Sequence, residues 1–125
     1  MSLDVSLWQT TDKVVACPHC GGEVKVPTAK GCVYEANITH NLIEMAREAG
    51  IYEAVWRPKE NGYTLAGHLV AKLRDSIAFM AASPTRFKMY DAPNGWGTYG
   101  HFLLWLRKYL AACEEHSDAE VRASG

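Results

Sequence analysis

Hydrophobic and polar positions alternate at the start of the chain and then change period. Leu3, Val5 and Leu7 alternate with Asp4 and Ser6, the period-two signature of a half-buried strand over Leu3–Gln9. Lys13–Ala16 is a short β-branched run. Gly21-Gly22 marks a turn, and Glu23-Val24-Lys25-Val26 alternates like the return strand of a hairpin. Pro27–Gly31 reads as a loop by its Pro and Gly, and Cys32–Glu35 as a further short strand.

The period lengthens after Thr39. Asn41 and Glu44 have capping-box spacing, in which the Asn oxygen and the Glu three residues later satisfy free N–H groups at a helix start. Leu42, Met45, Ala46 and Ala49 share one helical face, and Gly50 supplies the stop. Ile51–Arg57 reads as a short helix ended by Pro58, with a turn at Asn61-Gly62. Leu65, Leu69, Leu73 and Ile77, joined by Ala66, Val70 and Met80, define a longer helix. Ser83-Pro84 opens another short one as N-cap and first residue, running through Phe87. Residues 92–97 form a loop by their turn residues. Tyr99, Phe102, Leu103, Leu106, Tyr109, Leu110 and Cys113 then make the clearest helical stripe in the chain. Ala119-Glu120-Val121-Arg122 alternates again and is expected to return beside the amino-terminal strands.

These elements predict an α+β fold: a mostly helical single domain, 1–125, with a small antiparallel sheet. Its parts are an amino-terminal hairpin region (1–36), a helical region (39–115) and a carboxyl-terminal strand (119–123). The chain's 125 residues suffice for a core without disulfides. Thirteen basic against fourteen acidic residues give a net charge of −1, without the basic excess of a general nucleic-acid binder. Met1–Gln9 lacks the basic and apolar regions of a secretory leader, and no apolar run spans a membrane. Four cysteines in that setting predict a reducing, cytoplasmic environment with free or metal-bound thiols.

The chemistry concentrates in Cys17-Pro18-His19-Cys20. Two cysteines separated by two residues, followed by Gly21-Gly22 and flanked by strands, have the spacing of a metal knuckle. The glycines supply the positive φ such a turn uses. Zinc needs four ligands, and Cys32 with His40 would complete a Cys₃His set. Cys113 or a second chain are the substitutes. The bland alternative is a hairpin held by turn chemistry with idle thiols. Cys-Pro-His-Cys is also a redox tetrad of thioredoxin-like oxidases, but that motif opens a helix after a strand. Here an alternating strand pattern follows instead.

Other residues carry less. Thr39 and Asn41 read as helix caps, with His40 between them open to either a ligand or an acid–base role. His68 and His101 fall on helices at boundary positions, and His116 near the end, without a triad arrangement. Trp96 in the Asn94–Gly97 loop is expected to pack over the core. Phosphate-binding glycine loops are absent.

The order of short motifs adds a resemblance. Asn37-Ile38-Thr39-His40-Asn41 is followed by Ala49-Gly50-Ile51-Tyr52-Glu53-Ala54 and Trp56-Arg57-Pro58. Then come Pro93-Asn94-Gly95-Trp96-Gly97 with Tyr99, and Tyr109-Leu110-Ala111-Ala112-Cys113-Glu114 before Asp118-Ala119-Glu120-Val121. This pattern resembles a family of small proteins found largely in phages and prophages, over roughly residues 14–122. Its members carry a comparable CxxCG near the amino terminus and less regularly a cysteine at the Cys32 position, which favours His40. The resemblance implies a cytoplasmic accessory protein and names no reaction.

The expected function is therefore a non-enzymatic interaction protein with a structural zinc knuckle, binding a protein partner or forming a homodimer. The alternatives are a small metal-dependent hydrolase-like enzyme, using His19, His40 or Glu44 beside an open metal position, and a nucleic-acid binder with Lys13, Lys25 and Lys30 on the phosphates.

Overall fold

Strand β1, Ser2–Ala16, runs antiparallel to β2, Glu23–Thr39, from Ser2 opposite Thr39 to Ala16 opposite Glu23. The computed structural model describes residues 2–16, 23–93, 95 and 97–124, and gives residues 10–16 and 23–30 by their backbone alone. A third strand, β3 (Glu120–Ser124), pairs with β1 only along Asp4–Trp8, giving the order β2-β1-β3. The expected carboxyl-terminal strand is thus present and lies beside the amino-terminal one.

The predicted loop at Pro27–Gly31 is instead part of β2. Two register shifts accommodate it. Leu7 faces Tyr34 while Trp8 faces Cys32, so Val33 is an extra residue. Thr10 faces Lys30 while Asp12 faces Pro27, so β2 again carries one residue too many. A proline, which has no N–H to give, is tolerated because β2 is an edge strand. Bulges absorb the turn-forming residues that made the segment look like a loop.

The sheet is covered by helices α1 (Ile43–Ala49), α2 (Tyr52–Trp56), α3 (Ala66–Ala82), α4 (Pro84–Lys88) and α5 (Tyr99–Glu115). The long helices follow their stripes. Leu69, Leu73 and Met80 of α3 and Phe102, Leu106, Tyr109 and Cys113 of α5 are completely buried, and pack with Val5, Leu7 and Ile38 of the sheet into one core. Leu65 departs from its stripe: it is the residue before α3 and is 38% exposed. Tyr99 ties the helices together by donating its hydroxyl to the Met80 carbonyl at 2.8 Å.

Helix ends explain the remaining differences. The Asn41–Glu44 capping box does not start α1. A 3-10 turn over His40–Leu42 comes first, and its cap is Thr39, whose hydroxyl accepts from the Asn41 N–H at 3.2 Å. Gly50 ends α1 at φ 76°, as predicted. Ser83 stands before Pro84 at the head of α4, without a side-chain capping bond. His68 does what its boundary position did not suggest: its Nδ1 accepts from the Leu65 N–H at 3.3 Å and caps α3. Gly97, at φ 107°, sits where a Cβ would meet Thr39 and Leu42 at 3.0 and 3.1 Å, so glycine alone lets the loop before α5 close on the first turn. Among the described residues, no helix is long and apolar enough to cross a membrane.

Candidate functional site

The proposed zinc ligands fall in different places. Cys17 and Cys20 lie outside the described residues, as do His19, the Gly21-Gly22 turn and Trp96. In sequence the pair follows directly on the last rung of the hairpin ladder, Ala16 opposite Glu23. Cys32 is exposed on β2 opposite Trp8, about 25–30 Å from that rung at the usual rise of a strand. His40 follows the other end of β2, a further 20–25 Å or so along the chain. The structure does not bring Cys32 and His40 together, and the described residues hold no cluster of three or more His, Cys, Asp or Glu side chains fit for a metal. Lys13, Lys25 and Lys30 all fall in the part given by backbone alone.

Cys113 is sealed in the core on α5. Burial, with Glu114 adding to it, pushes its thiol up to about 12, so it is neither a ready nucleophile nor a surface ligand. Tyr109 and Tyr34 lie beside it, their rings stacked at 6.0 Å. Burial raises both hydroxyls as well, with Cys113 as a lesser cause. The Tyr109 hydroxyl is buried and finds no hydrogen-bond partner among the described residues.

His40 has another role. The Trp56 indole N–H donates to its Nδ1 at 3.0 Å, so α2 is pinned to the start of α1. An imidazole nitrogen accepts only when it carries no proton. The neutral ring's proton is therefore on Nε2, which becomes a fixed donor.

Around this bond lies a hollow of about 440 Å³. Leu3, Ile43 and Trp56 form its apolar part, His40, Tyr52 and Arg57 its polar part, and Ala123 of β3 closes one side. A second hollow, about 280 Å³, shares Trp56, Arg57 and Ala123 and continues past Pro58 and Lys59. The positions follow from the short helix. Tyr52 and Trp56, four residues apart, stack at 5.7 Å. Pro58 disfavours helical geometry at Arg57, where α2 stops, and the Asn61 side chain donates to the Arg57 carbonyl at 2.8 Å.

The electrostatics are lopsided. The Arg57 guanidinium and, less strongly, that of Arg47 hold the Tyr52 phenol below its ordinary range. Arg47 also lies over the Tyr52 ring, 4.6 Å from its centroid. Glu60 approaches Arg57 at 3.3 Å from the smaller hollow. Among the described residues, no Asp or Glu lines the larger one.

The edge of β3 adds a backbone donor. Val121 turns its N–H away from β1, to the Thr64 carbonyl at 3.0 Å. Strand alternation points the N–H and C=O of Ala123 the same way, and the short bridge at Leu65–Glu120 does not extend that far. The Ala123 amide thus faces outward beside the hollow.

No family model, no curated protein and no solved structure matches the chain. The phage-type resemblance stands on the motifs of the sequence.

Proposed function

We propose that this chain is a non-enzymatic interaction protein of the phage and prophage accessory type, with the β1–β2 ribbon as its contact element and zinc held by Cys17 and Cys20. One observation supports the reading most. β1 and β2 continue to pair over residues 10–16 and 23–30, well past Trp8, where β3 stops. A two-stranded ribbon is marginal by itself in water. The length of this one makes sense if something beyond the helical body completes it.

Zinc would serve that end, since two thiolates at this spacing take two positions of a tetrahedral ion. Cys32 and His40 stand too far away, and Cys113 is enclosed in the core. A second copy offers the same two thiolates, so the ion would join two chains and order both ribbons as it binds.

Protein purified without chelator, analysed for metal and for mass in solution, tests this. The expected result is one zinc per two chains in a dimer. Chelator, or Cys17→Ser with Cys20→Ser, gives a monomer whose helical signal is unchanged. A metal-free monomer with the ribbon amides fully protected from exchange would overturn the reading.

A further inference from the structure

We propose that the hollow between His40, Arg57 and Ala123 binds a small organic anion, a carboxylate or phosphate ester with a short apolar body. The site is independent of the ribbon and of zinc. Three residues that carry donors line it: Arg57, His40, whose Nδ1 is taken by the Trp56 indole and whose Nε2 is left to donate, and Ala123, whose N–H strand alternation turns away from β1. Arg57 has five N–H groups in a planar fork, and the Glu60 contact at 3.3 Å engages one of its nitrogens.

An apolar surface of Leu3, Ile43 and Trp56 lies against these donors, and the volume of about 440 Å³ is that of an ordinary small-molecule site. Among the described residues its lining carries Arg57 and neither Asp nor Glu, which favours an anionic ligand. Tyr52 reports the same field, because its phenol is drawn toward ionisation by the two guanidiniums beside it. A carboxylate or phosphate accepts from both Arg57 and a backbone N–H, the pairing that charge-assisted hydrogen bonds favour.

The probes are benzoate and phenyl phosphate, with benzamide as the neutral counterpart of benzoate. They are titrated into the full chain while amide and indole ¹⁵N–¹H signals are followed. The expected result is a saturable shift of the Trp56 indole and Ala123 amide signals by at least one anion in the millimolar range or tighter. The tighter of the two anions identifies the headgroup. Benzamide leaves both signals in place.

Arg57→Gln, at an exposed position, is expected to weaken binding at least tenfold, and Arg74→Gln, far along α3, to leave it unchanged. Ala123→Pro replaces an N–H that β1 does not use with a ring carbon, a change that an edge strand tolerates. It is expected to weaken binding as read at the Trp56 indole, and it tests the site even if Arg57→Gln disturbs the fold. Failure of both anions to shift these signals, equal shifts with benzamide, or full affinity in both site variants would overturn the proposal.

Discussion

The two halves of the β1–β2 hairpin share one ladder and differ in what lies against it. Near the helices, Leu3, Val5, Leu7 and Ile38 are buried, β3 pairs along one side, and α5 comes down on the other. There the Trp105 indole donates to the Asn37 carbonyl at 3.1 Å, and the Asn37 side chain donates to Ser2 and Asp4 across the strands. Beyond Trp8 the same two strands go on pairing without β3. Backbone hydrogen bonds exchanged with water contribute modestly, whereas apolar burial is the dominant favourable term. The first half of the hairpin therefore belongs to the body's stability, whereas the second gains no pairing from β3.

The comparison can be broken most directly in the core. Phe102→Ala removes a completely buried ring of α5 that packs edge-on against Trp56 of α2 and is expected to cost about 3–5 kcal/mol in denaturant unfolding. Removing the outer ribbon should do far less. Gln9 and Gly31 face each other, so a two-residue Asn-Gly turn can replace residues 10–30. Helical circular dichroism is expected to persist, with a melting temperature within about 5 °C of the parent. Loss of cooperative unfolding in that variant would show that the ribbon is part of the body after all.

Tyr109→Phe sharpens the contrast from inside the core. The hydroxyl is buried and finds no partner among the described residues, so its removal is expected to stabilise by about 1 kcal/mol. Destabilisation on denaturant titration would mean that the hydroxyl is satisfied in solution. A further effect is confined to alkaline pH. The folded Cys113 thiol titrates at about 12 against an ordinary 9.0, so the folded state holds its proton longer than the unfolded chain. Its contribution is complete below pH about 9 and is lost as pH rises toward 12. Melting temperature is expected to fall over that interval, and less steeply in Cys113→Ala. Equal slopes in the two proteins would remove Cys113 as the cause.

Much of the body was legible because its helices obey one period. The stripes of α3 and α5 and the stop at Gly50 all appear where spacing puts them. The sheet's third strand was also readable from the alternation at 119–122. Residues 27–31 misled because Pro and Gly signal a loop when they stand alone, whereas an edge strand with bulges can accept them. The hollow was illegible for another reason. Tyr52 and Trp56 sit in one short helix that Arg57 ends, but His40 and Ala123 arrive from elsewhere in the chain. The Tyr-x-x-x-Trp-Arg-Pro run was the available signal, and only the fold shows what it faces.

The order of β2-β1-β3 has a consequence for synthesis. Asp4 pairs with Ser124, so the last described element to leave the ribosome completes the sheet begun by the first. Until then the Asp4–Trp8 flank of a finished hairpin offers unpaired backbone to whatever strand comes near, and contacts of such long sequence separation form late. A nascent chain is thus exposed to mispairing along that flank until β3 has been made.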